Sequence, residues 1–145
     1  VVDPYDPTDE FKTDGGEDIE YLSVEDVYTI HEAVSDRDED MSGGVVNEGQ
    51  IENALEFIKH GHFGKKPEGV FEKAAHLFKQ ILEGHEFADG NKRTAVYATQ
   101  NFLERNGYDM EITPEVLTMS VEIAGGEDVE PIEIEKTLRD ASEDK

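Results

Sequence analysis

PEGVFEKAAHLFKQILEGHEFADGNKRTAVYATQNFLERNG, residues 67–107, holds two apolar patterns of helical period joined by a short polar break. In the first, Val70, Phe71, Ala74, Ala75, Leu77, Phe78, Ile81 and Leu82 cover more than one face of a helix. The spacing predicts a central helix from Pro67 to about Glu83, buried on most sides, with Pro67 suited to the first helical position. In the second, Ala95, Ala98, Phe102 and Leu103 face one way, which predicts a helix from near Asn91 to Asn106 with Gly107 as a left-handed cap. Residues 85–90 between them read as a loop, because Gly90 stands beside the helical run.

Upstream, Ser23 is an N-cap with Asp26 three residues on, a variant of the capping box. Val24, Val27, Tyr28, His31 and Val34 form the inward stripe of that helix, and the acidic stretch SDRDEDMSGG ends it. Asn47 with Gln50 caps a second helix whose buried face is Ile51, Ala54, Leu55 and Ile58. Downstream, Thr113-Pro114-Glu115 opens a fifth helix, which Gly125 and Gly126 stop. A last one spans about 131–141 and turns Ile134, Leu138 and Ala141 inward. No alternating run longer than four residues reads as a strand. The expectation is an all-α, compact bundle of about six short helices. Residues 1–20 are acidic and broken by Pro and Gly; they read as a weakly ordered arm, docked if at all through Tyr5 and Phe11.

The chain has 145 residues, enough for one domain, and its 13 Lys and Arg against 36 Asp and Glu give a net charge of −23. No run of eighteen apolar residues exists, so no membrane span is expected. An acidic surface is a poor match to phosphate backbones, so nucleic acid is not an expected partner. The absence of cysteine removes disulfides and thiolate metal sites. The N-terminal VVDPYDPTDE has neither a basic start nor an apolar core, so no secretory leader is read there and a cytoplasmic location is expected. Two accounts of the charge compete. One is disorder; the other is an acid-saturated fold adapted to molar salt, where the screening length shrinks to about 3 Å. The regular apolar periodicity from residue 21 onward favours the second.

HEFADGNKRTA, residues 85–95, is where chemistry concentrates. An imidazole and a carboxylate stand four residues apart, followed by Gly-Asn at a helix entrance and two adjacent cations. Backbone N–H groups and the dipole at such an entrance form an anion site. Two of only 13 basic residues placed there suggest a polyphosphate guest. Asp89 suits Mg²⁺, which keeps most of its waters and bridges to phosphates through one or two carboxylates. His85, with an ordinary pKa near ~6.5, can accept a hydroxyl proton at neutral pH.

HEFADGNKR resembles the signature of the Fic/Doc family, His-x-Phe-x-Asp/Asn-Gly/Ala-Asn-x-Arg, and Lys92 with Thr94 and Ala95 is similar to its death-on-curing (Doc) branch. LSVEDVYTIHEAV resembles that branch's first helix with its histidine, and GGVVNEGQIENAL its second. VFEKAAHLFKQILEGH resembles the central helix and NFLERNGYDM the end of the helix after the motif. The likeness covers about residues 22–140 and implies that 21–145 is a Fic/Doc catalytic domain. It implies that His85 is the general base, Phe87 packs the motif loop, Asp89 binds the metal, and Gly90, Asn91, Lys92 and Arg93 hold the ATP phosphates. It further implies ATP and Mg²⁺ as cofactors. The γ-phosphoryl group would go to a threonine or serine hydroxyl of a protein, by resemblance a translation elongation factor, with an antitoxin as silencing partner. Loop 60–66 matches the position of the family's flap, so a target main chain is expected to lie along it near Phe63.

Two departures from the pattern bear on the reaction. Glu86 stands where many members have Pro, and Val96 where the AMP-transferring Fic branch has a second Arg. The stretches after Thr118 and Ser35 do not complete an inhibitory Ser/Thr-x-x-x-Glu-Gly/Asn helix, so inhibition in trans is expected. Transfer of AMP to the same kind of hydroxyl, and a silent module that only binds a partner, are the other readings. Bland roles exist for each residue too: His85 and Asp89 as helix caps, and Lys92, Arg93, Lys65 and Lys66 as solvated charges. His31, on an apolar stripe, is expected to be a hydrogen-bonded structural residue; His60, His62 and His76 lack a ligand constellation.

Overall fold

The computed structural model of the protein describes residues 19–37, 48–61, 66–83 and 91–145. Along these the order is α1 (Val24–Arg37), α2 (Glu48–His60), α3 (Val70–Glu83), α4 (Asn91–Arg105), β1 (Tyr108–Met110), α5 (Pro114–Ala124), α6 (Pro131–Asp140) and β2 (Ser142–Asp144). The all-α expectation holds. The termini of the elements follow their local chemistry. The Ser23 N–H donates to Asp26 Oδ2 at 2.8 Å and the Asp26 N–H to Ser23 Oγ at 3.1 Å, a reciprocal cap on α1. The Val116 N–H donates to Thr113 Oγ1 with Pro114 in the first turn of α5. Gly107, at φ +95°, turns the chain out of α4 as the left-handed cap that the sequence predicts.

One boundary differs. The helix expected from Pro67 begins at Val70, because Gly69 at φ +80° breaks the path, and the Lys73 N–H to Gly69 O bond is the first of the helical ladder. Pro67 is buried ahead of it. Asn47, the expected cap of α2, lies outside the described residues.

Helix α3 runs through the middle, packed against α2, α4, α5 and α6, which accounts for its wide apolar coverage. Its Phe78, Leu77, Ile81 and Leu82 meet Ile51 and Ile58 of α2, Phe102 and Leu103 of α4, Ile123 of α5 and Ile134 and Leu138 of α6 in one continuous core. Each such side chain, fully buried, contributes about 1.5–3 kcal/mol relative to exposure. Lys73 is an exception on this helix. Its ammonium is buried, donates to the Ile58 carbonyl near the end of α2, and lies 5.5 Å from the centroid of the Tyr21 ring. One charge thus ties the N-terminal approach, α2 and α3 together.

The two strands form an antiparallel pair in the register Tyr108 with Asp144, Asp109 with Glu143 and Met110 with Ser142. Three residues each, they contradict nothing in the helical reading but were not legible in the alternation. The Tyr108 ring packs edge-on to Phe71 at 4.6 Å, and the Arg139 guanidinium lies 4.5 Å from the other ring, so β1, α3 and α6 close on one aromatic.

Candidate functional site

Helix α4 begins at Asn91, where the sequence expects it. Its first turn is divided: Lys92 and Arg93 are exposed, whereas Thr94 and Ala95 are fully buried. The unsatisfied N–H groups of a helix start carry positive partial charge, and the two side chains add two full charges beside them. Helices α1, α3, α5 and α6 each place a carboxylate in the first turn: Glu25 and Asp26, Glu72, Glu115, and Glu133. Helix α4 has none. On a chain of net charge −23, a first turn that carries two cations and no carboxylate of its own stands apart from the other helix starts described.

The rear of this turn is held by α1. The Nδ1 atom of His31 lies 3.1 Å from Thr94 Oγ1, both residues being buried, so His31 is the hydrogen-bonded residue that its place on an apolar stripe predicts. Asp26 at the start of α1 pairs with Arg105 at the end of α4, Nη1 to Oδ2 at 3.1 Å. The two helices therefore run antiparallel, and α4 is pinned to α1 near each of its ends. The backbone N–H of Ser23 is the largest influence on the Asp26 carboxyl; burial opposes it, and with the added help of the Arg105 guanidinium the pKa is held below its usual value. Beneath α4, α3 is its most extensive partner and ends at Glu83. The segment that carries His85, Phe87, Asp89 and Gly90 joins the end of α3 to the start of α4. Those four residues lie outside the described residues, as do His62, Phe63 and Lys65 of the expected flap.

Family comparison adds to this geometry. The Fic/DOC family model matches residues 21–103, more than half of the chain, from the approach to α1 through the helix that carries Lys92 and Arg93. The chain belongs to the Fic/DOC family. It is also 29% identical over 107 residues to "Protein kinase doc" of Escherichia phage P1, an overlap of 74% of this chain and 84% of that protein. That likeness sets it in the Doc branch, as the Lys92-Arg93-Thr94-Ala95 sequence indicates.

Other groups fall away from the site. His60 pairs loosely with Glu56 at 3.7 Å on the surface of α2. His76 packs edge-on to Phe57 at 5.2 Å, and burial, with a smaller push from Lys79, lowers its pKa. Among the described residues no trio of His, Asp or Glu side chains is placed to hold a metal ion. Val96 is buried in the core at 2% exposure, so the position of the second Fic arginine serves packing in this chain. Reasoning from sequence missed the role of Thr94, whose signal was its place directly behind the two cations. It also missed Lys73. That residue falls at the inward spacing between Val70 and Leu77, where an apolar side chain is the ordinary choice.

Proposed function

We propose that this protein is a Doc-type kinase that transfers the γ-phosphoryl group of Mg²⁺–ATP to a threonine or serine hydroxyl of a protein. The observation that carries the reading is the amino end of α4, which presents Lys92 and Arg93 with no carboxylate in its first turn. A polyphosphate fits that donor set: N–H groups, a favourable dipole and two cations. Bound there, Mg²⁺–ATP supplies the phosphoryl group and a metal to offset charge on it. Asp89 would hold the metal and Gly90, Asn91, Lys92 and Arg93 the phosphates, and Phe87 would pack the loop. His85 takes the proton from the attacking hydroxyl; the oxygen forms the new P–O bond as the bond to the β-phosphate oxygen breaks, and ADP leaves. The buried Val96 supports phosphoryl over AMP transfer, since no second arginine stands behind the first.

By the same likeness the protein target is an elongation factor, loop 60–66 aligns it, and an antitoxin silences the enzyme in the cytoplasm. Intact mass of candidate targets after incubation with Mg²⁺–ATP in high salt tests the chemistry. A gain of about 80 Da per site is expected for phosphorylation. A gain of about 329 Da would assign AMP transfer instead. No gain on any target, with partner capture intact, would make the protein a binding module.

A further inference from the structure

We propose that His31 is a positioning residue of the site: through the Thr94 hydroxyl it fixes the rotation of α4 about its axis, and so the direction in which Lys92 and Arg93 point. The use to which that direction is put rests on the kinase reading above; the positioning itself does not. Successive residues of an α-helix are set about 100° apart, so any rotation of the first turn moves both cations together. Large apolar anchors of α4 sit at its far end, where Phe102 and Leu103 are fully buried. Its first nine residues bury Thr94, Ala95, Val96, Ala98 and Thr99, side chains that are small or short and resist rotation weakly. A hydrogen bond is directional, so the His31–Thr94 contact at 3.1 Å supplies the angular constraint that packing there lacks.

The second pin between α1 and α4 cannot replace it. Asp26–Arg105 lies at the opposite end of α4 and is about one-third exposed on both partners, 32% and 37%. Salt screens such a pair, whereas the buried imidazole–hydroxyl bond is shielded from ions. In concentrated salt the buried bond is therefore the one that holds register at the cationic end. The contact crosses 63 positions of sequence and joins α1 to α4 only in the folded chain.

Thr94→Val keeps the shape of the side chain and removes its hydroxyl; Thr94→Ser keeps the hydroxyl. His31→Leu removes the ring's hydrogen bond, and His31→Asn places an amide near the position of Nδ1. Each variant is read by hydrogen exchange of the amides of 95–98, the first turn that the helical ladder of α4 holds, against those of 101–105, and by kcat and KM for ATP in phosphoryl transfer. Thr94→Val is expected to speed exchange about tenfold or more in the first turn alone and to lower kcat by about ten- to a hundredfold, with a smaller effect on KM. Thr94→Ser and His31→Asn should recover most of both. If Thr94→Val does not fold, Thr94→Ala and His31→Leu give the same two readings. Wild-type exchange and kcat in the hydroxyl-free variants would overturn the proposal. So would faster exchange spread evenly over α1 and α4 with no recovery by the conservative pair, which marks a merely structural bond. A wild-type protein that transfers no phosphoryl group would sink the kinase reading, and the first-turn exchange would still decide on His31.

Discussion

In the proposed reaction single side chains divide the work of the site, and their removal should divide the losses. His85→Ala is expected to lower transfer by at least the ~10²–10⁴-fold typical of a lost general base while ATP affinity, by calorimetry, stays near wild type. Asp89→Ala should reduce both, because a metal that bridges phosphates serves binding and reaction together. Equal losses of affinity in the two variants would make His85 a binding residue. His76 gives a pH-dependent counterpart away from the chemistry. Burial holds its folded pKa below the ordinary 6.5, so the unfolded chain binds more protons just below that value. Stability from this group is complete above about 6.5 and is lost as pH falls through the depressed value. His76→Leu should flatten the acid-side fall of Tm in that window; an unchanged fall would place its cause elsewhere. His85, Phe87, Asp89 and Gly90 lie outside the described residues; the start of α4 at Asn91, with Lys92 and Arg93 in its first turn, was legible because the residue types and their spacing are themselves the signal. Thr94 and Lys73 were not, since a hydroxyl aimed at His31 and an ammonium aimed at the Ile58 carbonyl are defined by partners 63 and 15 positions away.

Helices were readable wherever their ends carry their own instructions. Ser23 with Asp26, Thr113 with Pro114, and Gly107 each act within a turn of the boundary they set, so local sequence sufficed. The strands escaped because β1 and β2 exist only through each other, and three residues of Tyr-Asp-Met or Ser-Glu-Asp have no pattern to read. The start of α3 was misplaced for a related reason: Pro67 suits a first turn, but the positive φ of Gly69 decides where the ladder begins. Gly107 allows a clean test at this scale. A Cβ there would meet nothing within 4 Å, so Gly107→Ala costs only the strain of φ +95°. The expected loss is about 1 kcal/mol, measured by denaturant midpoint. A much larger loss would mean that the link to β1 tolerates no readjustment.

At the scale of the molecule the surface is crowded with like charge. Glu122, fully exposed on α5, has its pKa raised by sharing a hydrogen bond with Glu127 and then by that neighbour's charge. A carboxyl with a raised folded pKa holds its proton to higher pH in the folded state, so the stability it lends is lost as pH rises through that value. In molar KCl the repulsive part is screened and the Glu122 titration, followed by NMR, should move back toward the ordinary range without reaching it, since the shared hydrogen bond remains. Tm should climb over the same salt series, as expected for a net charge of −23; a flat response would remove salt adaptation as its explanation.

The way the chain enters and leaves this fold has a practical side. Asn106 grips Glu20 through both ends of its amide, accepting from the Glu20 N–H at 2.8 Å and donating to the Glu20 carbonyl at 2.9 Å. The Lys145 N–H reaches the Gly107 carbonyl at 3.0 Å. Both anchor points stand at the carboxyl pole of α4, whose 15 residues put Asn91 about 22 Å away along the axis. A biotin handle or sensor-chip linkage placed beside Lys145 would sit at the pole of α4 opposite Lys92 and Arg93 and leave both toward the solution. Surface-immobilised protein is the format in which small anions and large protein partners can be compared on one sample.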